Sequence, residues 1–282
     1  MKLQYLLLGL VVGGLVSSCK QTPVPSADEA QNDEDTVDSL EILSPEEMKD
    51  ELISETPMPM AADELFDDFL FNFASNKRLQ MERVRFPLAV TSDAKTDTLT
   101  NEEWQVEHFF MHNEEYTLIF DSEEQMEVVK DTTINHAVVE KIMLDQGFVC
   151  QYLFDRMDGR WMLNEMHKQT LSHNQNASFL AFYRRFATDS VFRHKSLNTE
   201  IAFSGPDPDN DLEQMEGVIT PDFWDAFAPD LPHGTIYNIV YGEPYGHSNT
   251  KIFVLRGIAN GQEVELTFRH EHDEWKLTKL YE

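Results

Sequence analysis

Two pairs of histidines have a spacing that could suit a metal ion. His108 and His112 would lie one turn apart on a predicted helix, and His270 and His272 share one face of a predicted strand. The first pair lacks the glutamate of a zinc-protease motif and has no third ligand nearby, and the second lies at a hairpin tip where side chains are ordinarily solvated. We therefore predict no metal site and no cofactor.

The loop at 242–247 is the better candidate for contact with a ligand. It joins two predicted strands, is rich in turn-forming residues, and contains Tyr245 and His247, with Tyr241 at the end of the preceding strand. Tyr and His side chains bind at low entropic cost, and ligand contacts concentrate on loops held by a rigid scaffold. We predict that Tyr241, Tyr245 and His247 contact a ligand, although a long hairpin also needs such a loop.

The remaining motifs of enzyme chemistry are missing from the sequence. There is no phosphate-binding glycine loop, dinucleotide fingerprint, nucleophile elbow or cysteine cluster. Cys150 lies in an apolar, strand-like stretch and is predicted to be a small buried side chain rather than a nucleophile. The sequence therefore predicts no catalytic residue.

Composition narrows the possible partners. The 282 residues carry a formal net charge of −29, and 41% of them are hydrophobic. The hydrophobic content supports a packed core. Nucleic acid is excluded as a partner because an acidic surface repels phosphates, and docking on anionic lipid by charge alone is disfavoured.

The N-terminus has the pattern of an export signal. Lys2 precedes an apolar run over 6–16, which is too short for a permanent membrane span. The following residues, Val16-Ser17-Ser18-Cys19, resemble the bacterial lipobox. The resemblance implies that residues 1–18 are a lipoprotein signal peptide and that Cys19 carries acyl chains, which would make the membrane a partner and the outer membrane of the cell envelope the location.

Residues 19–61 are predicted to form a flexible acidic tether. Between residues 20 and 64 there are fourteen acidic side chains against two basic ones, with five prolines and no aromatic residue. Such a segment repels itself and extends. Acidic stretches after a lipidated cysteine resemble the signals that export lipoproteins of the Bacteroidetes to the cell surface, so the surface and the periplasmic face both remain open.

The rest of the chain repeats. Ranges 62–168 and 176–282 align at an offset of 113 to 114 residues. Five positions match near the start of each range: Phe66 with Phe179, Phe69 with Phe182, Phe73 with Phe186, Ala74 with Ala187 and Ser75 with Thr188. Four more match near the end: Gly147 with Gly261, Phe154 with Phe268, Trp161 with Trp275 and Leu163 with Leu277. Matched spacing at both ends indicates a duplication, and the long period predicts two tandem domains, 62–168 and 176–282.

Each repeat is predicted to have helices first and sheet afterwards, which is an α+β fold. The opening helices show apolar residues at helical spacing, with Asp63 and either Asn176 or Ser178 available as N-caps. Further helices are predicted at 77–84, 102–112, 190–197 and 221–227. Strands are predicted at 116–120, 138–144, 148–156, 161–167, 235–241, 251–259, 263–270 and 274–280.

This order of helices and long hairpins resembles the nuclear-transport-factor-like cone fold, in which helices pack on a curved antiparallel sheet. The Phe-x-x-Phe-x-x-x-Phe-Ala opening and the stretch from Arg83 to Leu88 also resemble a Bacteroidetes lipoprotein family of uncharacterised function with two such units. The lipobox, the tether and the absence of a recognisable catalytic set favour a lipid-anchored, non-catalytic envelope protein that binds an unknown small molecule, an envelope protein or a glycan. The alternative is an enzyme of lyase or isomerase type that uses the pocket of one cone.

Overall fold

The computed structural model describes residues 60–92, 95–207, 210–242, 248–258 and 260–282. Five α-helices lie in these ranges: α1 Phe66–Ser75, α2 Lys77–Arg83, α3 Glu123–Met126, α4 Ala177–Thr188 and α5 Ser190–Lys195. Short 3-10 helices occupy Met60–Asp63, Glu127–Lys130, Leu171–His173 and Pro221–Ala226. The described strands are β1 Val84–Ser92, β2 Lys95–Leu99, β3 Glu115–Phe120, β4 His136–Met143, β5 Phe148–Met157, β6 Arg160–Thr170, β7 Leu197–Asp207, β8 Asn210–Ile219, β9 Thr235–Tyr241, β10 Thr250–Gly257, β11 Glu263–Glu271 and β12 Glu274–Tyr281.

The described strands form two six-stranded sheets with the same internal order. The first sheet runs β2-β1-β6-β5-β4-β9, and the second runs β8-β7-β12-β11-β10-β3 when read from the equivalent edge. Neighbouring strands are antiparallel except in the pairs β1–β6 and β7–β12, which are parallel. The predicted α+β class is confirmed. Each sheet differs from the antiparallel sheet that was predicted because it contains one parallel pair of strands.

Each sheet takes one edge strand from the other half of the chain. Strand β9 pairs with β4 from Ala137↔Tyr241 to Met143↔Thr235. Strand β3 likewise pairs with β10, where Phe120 faces Ile252. Because of this exchange, neither 62–168 nor 176–282 contains every strand of its sheet.

The opening helix of each half packs its phenylalanines against a sheet. In α1, Phe66, Phe69 and Phe73 recur at helical spacing and are buried, since that face points into the first core. Helix α4 presents Phe179, Phe182 and Phe186 in the same way to the second core. The burial of one helix face accounts for both helices, because neither has a side-chain N-cap.

Equivalent aromatic pairs have nearly the same geometry in the two halves. The rings of Phe66 and Trp161 are 4.9 Å apart with planes at 72°, and those of Phe179 and Trp275 are 5.4 Å apart at 72°. A second pair in each half agrees as well: Phe73 with Phe154 at 5.3 Å and 89°, and Phe186 with Phe268 at 5.1 Å and 89°. The offset read from the sequence therefore identifies equivalent positions.

The predicted helix over 102–112 is wrong, because this stretch forms turns. The side chain of Gln80 holds its backbone: the amide oxygen accepts from the Glu107 N–H at 3.1 Å, and the amide nitrogen donates to the Glu107 carbonyl at 2.9 Å. These bonds satisfy backbone groups that a helix would have satisfied. The predicted cap Asp63 is wrong, since Leu65 is the N-cap residue of α1 and Asp63 binds Arg83. Asn176 is the N-cap residue of α4, as predicted, but its side chain makes no capping hydrogen bond.

Candidate functional site

The residues predicted to contact a ligand divide between the core and an undescribed segment. Tyr245, His247 and Cys19 lie outside the described residues. Tyr241 is 2% exposed, at the end of the exchanged strand β9, and its hydroxyl donates to Asp67 Oδ1 at 2.6 Å. Its side chain belongs to the first core, and the hollow it lines has a volume of only about 10 Å³.

Burial sets the protonation of the Asp67–Tyr241 pair. Burial raises the pKa of Asp67, while the hydrogen bond from Tyr241 and the charge of Arg256 oppose the rise. Burial also raises the pKa of Tyr241 well above its ordinary value, and the charge of Asp67 adds to that rise. The tyrosine hydroxyl is therefore held as a proton donor to the carboxyl group.

The described histidines do not form a buried acid–base pair. Those that contact carboxylates are partly exposed: His136 with Asp155 at 2.7 Å, His167 with Glu165 at 2.9 Å and His194 with Asp225 at 3.1 Å. The rings of His108 and His112 are 4.8 Å apart. Within the described ranges, no group of three or more His, Cys, Asp or Glu side chains is arranged to hold a metal ion. Cys150 is buried, as predicted, and burial raises the pKa of its thiol.

A polar cluster that the sequence did not predict surrounds Glu107 in the first half. Its carboxylate accepts from Lys141 Nζ at 3.0 Å and from the Tyr152 hydroxyl at 2.8 Å. Burial raises the pKa of Tyr152. Since the ion pair and the hydroxyl satisfy this carboxylate, the cluster fixes the turn region against the sheet.

An open cleft in the second half has the composition of a binding site. It has a volume of about 360 Å³ and lies between the helices α4 and α5 and the β11–β12 hairpin. Its lining comprises Ser178, Phe182, Phe192, Lys195, Ser196, His270, Asp273, Glu274 and Trp275. The volume is within the range of ligand pockets, roughly 300–1,000 Å³, and the lining combines aromatic rings with charged groups.

Trp275 is the centre of this cleft, which we call the Trp275 cleft. Its indole N–H donates to Ser178 Oγ at 3.3 Å, and the His270 ring lies 4.9 Å from its ring. Phe182 packs beside it with ring centroids 6.4 Å apart. The cleft therefore has an aromatic floor with a polar rim.

In the first half, charged side chains occupy the equivalent place. Arg83, the equivalent of Ser196, forms a two-pronged ion pair with Asp63, with both N···O distances at 2.8 Å. Its guanidinium also donates to the Trp161 carbonyl at 3.1 Å and lies 5.7 Å from the centre of the Phe69 ring. The backbone N–H of Trp161 donates to the same aspartate at 3.0 Å, which completes a closed network.

A second guanidinium covers Trp161. Arg156, the equivalent of His270, lies 5.2 Å from the centre of the indole. It donates to the carbonyl of Glu64 at 2.8 Å and to that of Thr132 at 2.6 Å. Arg156 thus ties the entry to α1 and a distant loop to the face of the tryptophan.

The exposures of the equivalent rings record the difference between the two halves. Trp161 is 0% exposed and Trp275 is 7% exposed. Phe69 is 0% exposed and Phe182 is 9% exposed. The aromatic floor is therefore fully covered in the first half, whereas in the second half its two rings are buried with a small part of their surface exposed to the cleft.

A larger hollow, of about 640 Å³, lies along the second sheet. Its lining comprises Glu114, Glu115, Pro206, Gln214, Leu255, Gly257, Asn260, Gly261, Gln262, Glu263, Val264 and Glu282. This lining holds several carboxyl groups but no aromatic ring, and burial raises the pKa of Glu115 with help from the charges of Asp230 and Glu114. An acidic wall without an apolar floor offers a ligand less than the Trp275 cleft does.

Residues 45–282 match the sequence family described as a domain of unknown function, DUF4348. The chain belongs to the DUF4348 family. The structure is also similar to the crystal structure of an NTF2-like protein from Bacteroides fragilis NCTC 9343, with 36% sequence identity and a TM-score of 0.73 over 80% of this chain and 98% of that one. A comparison with curated proteins gave no match.

The likeness confirms the nuclear-transport-factor-like fold that the helix and hairpin order predicted for this DUF4348 chain. In the part of the chain that the structure describes, no helix is long and apolar enough to cross a membrane. Neither comparison names a ligand, so the function of the DUF4348 domain must be argued from its site.

Proposed function

We propose that this DUF4348 protein is a lipid-anchored protein of the cell envelope that binds a ligand without catalysis, and that the Trp275 cleft is its binding site. The observation that carries the proposal is the contrast between the two halves. One fold, used twice, fills the space beside Trp161 with its own side chains and leaves the space beside Trp275 open.

The binding site is supported by composition and volume. A partly uncovered tryptophan and phenylalanine supply apolar area, while Lys195, Asp273 and Glu274 supply charges that can orient a ligand. The proposal is tested by a thermal-shift screen of small polar compounds with the wild-type protein and Ser196→Arg. A compound that raises the melting temperature of the wild type alone supports the cleft as the site. A screen in which no compound acts, or in which both proteins respond equally, contradicts it.

Lipid anchoring is supported by the sequence pattern over 1–19 and the acidic tether behind it. We expect Cys19→Ser to release the protein from the membrane fraction or to leave its precursor uncleaved. Cys150→Ser is the matched control, because it removes the other cysteine and should leave the fractionation unchanged. Unchanged membrane fractionation of Cys19→Ser would refute lipidation. For the wild-type protein, protease treatment of intact cells distinguishes a location on the cell surface from one on the periplasmic face of the outer membrane.

One observation favours the alternative, a pocket enzyme of lyase or isomerase type: burial raises the pKa of Asp67, as in many general acids. Against it, Asp67 is bonded to a tyrosine that is itself buried in the core. The hollow lined by Tyr241, about 10 Å³, has no room for a substrate. Ligand binding at the Trp275 cleft is the function that the geometry supports better.

A further inference from the structure

We propose that the Trp275 cleft binds a guanidinium group supplied from outside the chain. The inference rests on the proposed binding function and names the chemistry of the ligand. Its starting point is the first half, where the chain itself provides the occupant. Arg83 and Arg156 both lie against aromatic rings there, and the buried carboxylate of Asp63 holds one of them.

The second half lacks both of these guanidinium groups at the equivalent positions. Ser196 stands where the first half has Arg83, and His270 stands where it has Arg156. A serine is too short to reach the ring of Phe182 as Arg83 reaches that of Phe69. The rings that two cations cover in one half consequently line a cleft in the other, where a small part of their surface is exposed.

The tip of the β11–β12 hairpin also carries less positive charge than the equivalent tip of the β5–β6 hairpin. Arg160 at the start of β6 is replaced by Glu274 at the start of β12, and Gly159 in the preceding turn is replaced by Asp273. Both carboxylates line the cleft. In the opposite direction, Lys195 stands where the first half has Glu82. At the lining positions, the first half has three arginines and one carboxylate, and the second half has one lysine and two carboxylates. The charge around the aromatic floor therefore changes from positive to negative, which is the environment that a cation prefers.

The carboxylate partner has also moved from inside the fold to the rim. Asn176, the equivalent of Asp63, is turned away, and its side-chain oxygen accepts from Lys251 Nζ at 2.6 Å. Asp273 and Glu274 can take over the role that Asp63 has toward Arg83. Of the lining rings, Phe192 already carries Arg185, whose guanidinium carbon is 4.0 Å from the ring centre. The rings of Phe182 and Trp275 are the ones left for a ligand.

Guanidinium suits this cleft better than a compact ammonium ion. It is planar and weakly hydrated, so it stacks on an aromatic face at low desolvation cost and can donate to two carboxylates at once. Lys195 also lines the cleft and offers a positive charge to an anion that accompanies the guanidinium, such as the carboxylate of free arginine. The net charge of −29 raises the local concentration of any cationic ligand.

Isothermal titration of the full protein with four probes tests the inference. Arginine and agmatine carry the guanidinium, with and without a carboxylate; citrulline replaces it by an uncharged urea of the same shape. We expect one arginine or agmatine per chain and binding of citrulline weaker by about tenfold or more. A blocked peptide with an internal arginine is the fourth probe. Tighter binding of the peptide than of arginine indicates a polypeptide source, and the reverse indicates a free small molecule.

Variants locate the binding. Ser196→Arg supplies an internal guanidinium, as Arg83 does in the first half, and should weaken arginine binding by about tenfold or more. Val218→Arg is the matched control, because it adds an arginine at an exposed position of β8 outside the cleft lining, and it should bind arginine as the wild type does. If Ser196→Arg does not fold by circular dichroism, His270→Arg tests the same point, since it introduces the equivalent of Arg156.

Three results would overturn the inference. Citrulline binding as tightly as arginine would exclude recognition of the charge. Unchanged arginine binding by a folded Ser196→Arg and His270→Arg would exclude the cleft. No binding of arginine or agmatine at millimolar concentrations would exclude the ligand class, and a compound of another class found in the thermal-shift screen would then leave the proposed function standing.

Discussion

Trp161 and Trp275 pack against the same pattern of phenylalanines, yet Arg156 lies over the ring of the first and Arg83 donates to its carbonyl, whereas the second lines a cleft. The cores beneath them are alike: the rings of Phe73 and Phe154 are 5.3 Å apart and those of Phe186 and Phe268 are 5.1 Å apart, with planes at 89° in both pairs. The differences that distinguish the two tryptophan surroundings lie at the end of a short helix, where Arg83 is opposite Ser196, and near the tip of a hairpin, where Arg156 is opposite His270. The residues that pack the core are therefore different from the residues that decide whether the space beside the tryptophan is filled or open.

The largest effect is expected from separating the halves. Each core contains apolar side chains from the other half, such as Tyr237 and Ile239 in the first and Ile119 and Ile142 in the second. We expect residues 62–174 or 175–282 expressed alone to give no stable monomer, and their co-expression to restore a folded complex. Circular dichroism and size-exclusion chromatography check this. A fragment that unfolds cooperatively as a monomer would contradict the importance of the exchanged strands.

The next effect concerns the covered tryptophan. Arg83→Ser gives the first half the residue of the second and leaves Asp63 buried without its partner. We expect a loss of about 4 kcal/mol in the free energy of unfolding, measured with urea. The double variant Asp63→Asn with Arg83→Ser is the control, because it removes the unpaired charge. A double variant no more stable than the single one would show that the ion pair is not the cause.

A buried carboxylate in the first sheet has an apolar equivalent in the second. Glu140 is 0% exposed and accepts from the side-chain amides of Gln151 at 2.8 Å, Asn174 at 2.6 Å and Asn238 at 2.8 Å. Its equivalent is Val254. We expect Glu140→Val to cost about 3 kcal/mol in urea unfolding because three buried donors lose their acceptor. Glu140→Gln keeps an acceptor and should cost less; equal losses would speak against this account.

Matched core substitutions should have matched effects. Phe154 and Phe268 each contact the rings of three phenylalanines from the opening helix of their half. We expect Phe154→Leu and Phe268→Leu each to lower the free energy of unfolding by about 1.5 kcal/mol. The two losses should agree within about 0.5 kcal/mol. A large difference between them would break the equivalence of the two cores.

The smallest effect is a pH dependence that comes from Asp67 in the first half. Burial raises the pKa of Asp67 in the folded protein, so between the ordinary Asp value of about 4 and the raised value the folded state holds more protons than the unfolded chain. The contribution of Asp67 to stability therefore falls as pH rises through this window. Its equivalent, Leu180, does not titrate.

Asp67→Asn isolates this effect, because it keeps an acceptor for the Tyr241 hydroxyl and removes the titration. We expect the wild type to lose stability relative to Asp67→Asn as pH rises from about 4, in urea unfolding at a series of pH values. A difference between the two proteins that does not change with pH would contradict the raised pKa.

The strongly patterned elements could be predicted from the sequence. The sequence predicts α1, α4, β9 and the two hairpins β5–β6 and β11–β12 to within a few residues. Each of these elements has a buried face, and burial of one face produces a clear period of apolar residues. Strands β1, β2, β7 and β8 were not predicted. Strand β2, for example, is almost wholly exposed and so has no apolar alternation to reveal it.

The exchange of edge strands and the cleft could not be predicted, for different reasons. The apolar alternation of β3 and β9 shows that they are strands but not which sheet they join. The cleft exists because position 196 has a small serine instead of a large side chain. A serine at the end of a helix is common and does not by itself predict a cleft. Only alignment of the two halves, with Arg83 opposite that serine, shows that a large side chain is lacking there. Asp63 was misread as a helix cap because its partner is distant in the sequence.

The pairing of β3 with β10 has a consequence for the growing chain. Ile252 meets Phe120 across 132 residues, so β3 is synthesised long before its neighbour exists. Until β9 emerges, the edge of β4 also presents unpaired backbone groups and the apolar side chains of Ala137 and Val139. Late closure of distant contacts slows folding. A chain that is truncated before β9 would therefore be prone to aggregate. A chaperone that keeps the chain unfolded until its C-terminal strands have been synthesised would prevent this aggregation.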